Sequence, residues 1–215
     1  MKRHTFAMRI HTGAFNTYRK KLGEIWPSLT ALLDRNHIQN FSIWNINDLI
    51  FGYCELPDDY VLSEDDTQLK ADLIHTMEDT FAWISDPEQC MEMMYHDFGI
   101  VRANKELIRH RVFLTKLKDN CKQEYKRRHD ELVAKRGDTI TPGPDSNFSI
   151  WSAGGYIFGY NEIDTTMEQE QTAEDLAGTI EWETRQLEIM DWITNDMDWL
   201  TGEHHPNIQR IAWHR

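Results

Sequence analysis

Phe41-Ser42-Ile43-Trp44 returns as Phe148-Ser149-Ile150-Trp151, 107 residues further along the chain, and that repetition decides the fold. At the same offset Ile50-Phe51-Gly52-Tyr53 becomes Ile157-Phe158-Gly159-Tyr160, and Glu55 becomes Glu162. Upstream, Phe6 answers to Phe113 and Tyr18 to Tyr125. Near each end Tyr95-His96 is matched by Trp213-His214 at a slightly larger offset, so the second copy carries a short insertion. So many matches in one register mean an internal duplication, with repeats at 1–102 and 103–215 and a linker over 103–108.

Working outward, each copy predicts the same elements. Alternating Phe6, Met8 and Ile10 give a half-buried strand over 4–10. Helices are expected over 14–33 and 121–135, the first with an apolar stripe of Leu29, Leu32 and Leu33. A hairpin follows over 41–44 and 49–54, turned by Asn45, Asn47 and Asp48, and in the second copy by Ser152-Ala153-Gly154-Gly155. Second helices are expected over 68–83 and 168–199, and last strands over 91–97 and 209–214. This β-α-β-β-α-β order is the ferredoxin-like unit of the α+β class, with helices on one face of an antiparallel sheet. Two copies in one chain can bury their uncovered faces sheet against sheet. The expected architecture is therefore an intramolecular, pseudo-dimeric α/β barrel with a cavity between its halves. Trp44 and Trp151 should pack under helices or line that interior.

Composition narrows the partners. A net charge of −13 opposes a nucleic-acid role, which needs basic surface for phosphates, and disfavours anionic lipid. No apolar run reaches membrane-spanning length, and Met1-Lys2-Arg3-His4 is followed by no signal-peptide core. Cys54, Cys90 and Cys121 lack the spacing of a disulfide framework or zinc site, so a reducing, cytoplasmic setting is expected. His204-His205 beside Glu203 offers too few ligands for a metal, and none is expected.

Ile25-Trp26-Pro27, then Leu29, Leu33 and Asn40-Phe41-Ser42-Ile43, resembles the L-rhamnose mutarotase family. Phe51-Gly52-Tyr53-Cys54-Glu55 and Met94-Tyr95-His96 extend the resemblance, which covers most of both copies. It implies a cofactor-independent isomerase that interconverts the anomers of a 6-deoxy sugar, with one chain supplying both halves. Ring opening needs a base for the anomeric hydroxyl proton and an acid for the ring oxygen, and histidine serves either task. The family's Y-x-x-x-H places both groups on one helical face.

The copies depart from that pattern differently. Tyr125-Lys126-Arg127-Arg128-His129 keeps the pair, making His129 the candidate acid/base and Tyr125 its partner. Tyr18-Arg19-Lys20-Lys21-Leu22 keeps only the tyrosine, so the first site should be catalytically dead. Trp26-Pro27 becomes Val133-Ala134, and Gly137 through Pro144 replaces the last helical turns with a loop. Phe41 and Phe148 stand where the family's sugar-contacting tyrosine is expected. Trp192 is the nearest match to a sugar-contacting tryptophan on the family's second helix. The expected substrate-binding residues are thus Tyr18, Phe41, Phe148 and Trp192. Glu55 and Glu162, recurring after Tyr53 and Tyr160, suggest a hydrogen bond across the pseudo-dimer or a surface salt bridge.

Three functions compete: mutarotation of a small sugar, a repurposed barrel, and a non-catalytic small-molecule binder. The repurposed barrel would catalyse isomerisation, cyclisation, dehydration or decarboxylation of a secondary metabolite. A monomeric pseudo-dimer is expected, with further self-association left open.

Overall fold

The computed structural model describes residues 1–140, 142–170, 172–194 and 208–215. The first half runs β1 (Lys2–Ile10), α1 (Phe15–Arg35), β2 (Gln39–Ile46), β3 (Leu49–Leu56), α2 (Glu64–Met77), β4 (Phe81–Trp83) and β5 (Glu92–Asp97). The second runs β6 (Ile108–Leu117), α3 (Lys122–Arg136), β7 (Asp145–Ala153), β8 (Tyr156–Asp164), α4 (Ala173–Gln186), β9 (Met190–Thr194) and β10 (Ile208–His214). Both halves are the α+β, ferredoxin-like unit that the repeat predicts.

Sequence repeats and compact units part company at two strands. Residues 1–91 with 209–215 form one unit, and residues 92–208 the other. The first unit's sheet has the order β10-β2-β3-β1-β4, the second's β5-β7-β8-β6-β9. Each sheet thus takes an edge strand from the other repeat's sequence. Relative to the repeats, the spatial units exchange β5 and β10.

The second helices are shorter than their pattern predicts. Ser63 and Thr172 cap them, each side chain accepting a backbone N–H three residues on. They end at Met77 and Gln186 rather than at Trp83 and Trp199. Phe81–Trp83 and Met190–Thr194 instead pair with β1 and β6. Aromatic and β-branched residues dominate these short segments, and an open sheet edge completes their backbone hydrogen bonds. Positions 195–199 of the longer expected helix, and Glu203, His204 and His205, lie outside the described residues.

In both units a phenylalanine lies across a glycine on the neighbouring strand. Phe6 pairs with Gly52, and Phe113 with Gly159. A Cβ there would meet the ring at 2.0 Å in the first unit and 1.9 Å in the second. The glycines make room for the rings, which then sit on the helix-facing side of each sheet.

Trp44 and Trp151 turn away from the helices, each donating its indole N–H to a serine two residues back, at 3.0 and 2.9 Å. They therefore do not pack under helices. Glu55 and Glu162 are also buried, not surface groups. Each carboxylate accepts from the preceding tyrosine hydroxyl and from Asn40 or Asn147. Lys105 adds a 2.6 Å ion pair to Glu162.

Candidate active site

Helix α3 is polar almost throughout, and the face it buries carries Tyr125, Arg128 and His129. Arg128 fixes the helix in place. Its guanidinium meets Glu124 and Glu188 at 2.8 Å and donates to the Arg185 carbonyl at the end of α4. One turn apart, Tyr125 and His129 stack with ring centroids 4.2 Å apart.

His129 is 4% exposed. Its Nδ1 lies 2.9 Å from the Tyr125 carbonyl oxygen. A carbonyl can only accept, so Nδ1 carries the proton and Nε2 keeps its lone pair. Trp182 and Tyr95 meet the ring edge-on at 5.3 and 5.4 Å. Burial among these rings lowers the imidazole pKa to about 4, against the smaller upward pull of the Tyr125 carbonyl and Asp130. His129 is therefore neutral at pH 7. Burial, reinforced by Glu183, pushes the Tyr125 hydroxyl upward, so it remains a hydrogen-bond donor.

These groups face a cavity of about 1220 Å³ between α3, α4 and the helix side of the second sheet. Tyr125, His129, Phe148 and Trp192 all line it. Two expectations need correction. The cavity is lined by the second unit alone rather than lying between two sheets, because Phe113, Phe148 and Ile150 point towards that unit's own helices. Trp192 stands on β9, not on a helix, with its ring 5.6 Å from Phe113. The cavity-lining tryptophan on α4 is Trp182.

Gln186, at the end of α4, also lines the cavity and is 1% exposed. Neither its Oε1 nor its Nε2 has a hydrogen-bond partner. A buried amide left unpaired is destabilising, and this one sits at the cavity wall.

Tyr18 and Phe41 lie elsewhere, in a separate pocket of about 560 Å³ inside the first unit. Leu22 takes the place of His129 there. Aligning the helix caps Ser63 and Thr172 pairs Leu73 with Trp182, Ile74 with Glu183 and Met77 with Gln186. All three first-unit residues line the 560 Å³ pocket. Glu183 and Gln186 of the second pocket thus correspond to apolar residues in the first.

Sequence reasoning missed Tyr95, Trp182, Glu183 and Gln186. The cap alignment could have found the three on α4, but a helix assumed to run over 168–199 hides that register. Tyr95 reaches the second unit only through the exchanged strand β5.

Fold and site define a tandem ferredoxin-like protein with a neutral imidazole at the wall of a partly polar cavity. A family model, L-rhamnose mutarotase, matches residues 3–103 and again 110–211, and the chain belongs to that family. L-rhamnose mutarotase of Oceanobacillus iheyensis is 34% identical over 61 residues, 27% of this chain and 59% of that protein. The protein of the same name from Rhizobium leguminosarum bv. trifolii is 31% identical over 65 residues, 29% and 61% of the two chains. The aligned stretches thus cover less than two thirds of either relative. No solved structure gives a significant match. Among the described residues no helix is long and apolar enough to cross a membrane.

Proposed function

We propose that the chain is a sugar isomerase of the mutarotase kind, acting from the cavity of the second unit. The observation that carries this reading is His129, a neutral imidazole with Nε2 available, beside the unpartnered amide of Gln186. Nε2 takes the proton of the anomeric hydroxyl as the ring C–O bond breaks, leaving an aldehyde and a ring oxygen that receives the same proton back from the imidazolium. Rotation about the adjacent carbon–carbon bond presents the other carbonyl face, and the reverse transfers close the ring as the opposite anomer. Tyr125 holds the imidazole by stacking and by its carbonyl, and Gln186 binds sugar hydroxyls as both donor and acceptor.

NMR saturation transfer between the anomers of L-rhamnose and L-fucose tests this directly. The wild type should accelerate exchange, and His129→Ala should return it to the rate in buffer. No acceleration by the wild type would remove the mutarotase reading.

A repurposed pocket is the second reading, and its size supports it. The cavity exceeds the roughly 300–1,000 Å³ of ordinary small-molecule sites. Tyr95, Phe148, Trp182 and Trp192 give it aromatic walls. Under this reading bulkier, aryl-substituted cyclic hemiacetals exchange faster than L-rhamnose with the same His129 dependence.

A further inference from the structure

The first unit has kept a pocket while losing the groups that would make it catalytic. Leu22, Ile74 and Met77 stand at the positions of His129, Glu183 and Gln186, so those three groups have no counterpart in this space. Tyr18 keeps its place at the wall, buried with its hydroxyl pushed upward in pKa. Divergence that merely closed a redundant site would fill it with larger side chains. Instead about 560 Å³ remains, in the middle of the roughly 300–1,000 Å³ found for small-molecule pockets. Apolar walls around such a volume lose dispersion partners when nothing occupies it.

The lining is not uniform. His4, Tyr60 and Lys70 also border the pocket, and all three carry hydrogen-bond donors. His4 and Lys70 lie close together: burial chiefly, and then the Lys70 charge, lower the His4 pKa. The Glu88 carboxylate lies 3.9 Å from Lys70 with its side chain 78% exposed. That separation exceeds hydrogen-bonding distance, and an exposed carboxylate is readily exchanged for another anion.

We propose that the first unit is a binding site for an apolar carboxylic acid, with its hydrocarbon body among Leu22, Leu73, Ile74 and Met77 and its carboxylate on Lys70 and His4. The site is non-catalytic and independent of the chemistry in the second unit. Burial of the hydrocarbon supplies most of the affinity, and the charge-assisted contact to Lys70 fixes the orientation.

Isothermal titration of the full chain with decanoate and with 1-decanol tests this, with Trp83 at the pocket wall as a fluorescence reporter. The wild type should bind one decanoate saturably. Ile74→Trp should weaken binding at least tenfold by filling the space. Lys70→Met should weaken decanoate about tenfold and leave 1-decanol unchanged, and His129→Leu should change neither. Where Ile74→Trp does not fold by circular dichroism, intermolecular NOEs from decanoate methylenes to Leu22 and Ile74 methyls locate the ligand. The proposal is overturned by absence of saturable binding, by loss of binding in His129→Leu, or by NOEs only to second-unit residues.

Discussion

Replacing His129 with leucine, the residue at the equivalent position of the first repeat, should make the protein more resistant to acid. In the folded chain burial lowers this imidazole to about 4, against about 6.5 for a free histidine. Between those values the unfolded chain binds the proton more readily than the folded one, so stability falls as pH drops through this window. At 1.36 kcal/mol per pKa unit, the full loss below pH 4 is about 3 kcal/mol, of which about 2 is reached between pH 8 and pH 5. Asp130 acts upward and Lys126 downward on the same group, both more weakly than burial. Denaturant titrations of wild type and His129→Leu at pH 8, 6 and 5 isolate the term, because titrations elsewhere cancel in the difference. The wild type should lose about 2 kcal/mol more than the variant over that range. Parallel pH profiles, or an NMR titration of His129 centred near 6.5, would refute the claim that the ring is desolvated and neutral.

Gln186→Leu removes two unpaired buried polar atoms, so the variant should be more stable by about 1–3 kcal/mol in thermal denaturation. The same change should weaken L-rhamnose binding measured by ligand-observed NMR. Gly159→Ala drives a methyl into the Phe113 ring and should cost about 1–3 kcal/mol or more, as should Gly52→Ala against Phe6; denaturant midpoints check both. Lys105→Met removes an ion pair from the buried Glu162, and a loss of about 3–5 kcal/mol is expected in the same assay. Deleting residues 208–215 strips β10 from β2, whose residues are almost all buried; light scattering should show aggregation through the exposed strand edge.

The sequence made the fold legible because its strongest signals are backbone constraints repeated twice. Asn40 and Asn147 both adopt positive φ, at 51° and 53°, beside a bulge in each hairpin. Gly52 and Gly159 both lie beneath a phenylalanine. Such positions tolerate few residues, and their recurrence at one offset is a structural statement. Tyr125, His129 and Phe148 were legible for a similar reason, since a helical turn and a strand register place them without further information. The exchange of β5 and β10 was not, because a strand's sequence specifies its pattern of faces but not which sheet edge it joins. The α4 contribution was obscured by a helix drawn too long, which ran through the strand that carries Trp192.

The two repeats separate scaffold from site better than either does alone. Tyr, Glu and Asn form the same buried hydrogen bonds in both units, at 3.0–3.1 Å in every case. A half-satisfied buried carboxylate is strongly destabilising, so none of the three can change without the others. Groups facing the cavities lie outside that buried Tyr–Glu–Asn network. His129, Glu183 and Gln186 could therefore become Leu22, Ile74 and Met77 with the surrounding sheet intact. Each replacement puts an apolar side chain where the second unit has a polar one, which lowers the cost of burial in the first unit. The unpaired Gln186 runs the other way, holding a cost that Met77 does not. One unit thus carries apolar side chains at three positions where the other carries an imidazole, a carboxylate and an unpaired amide.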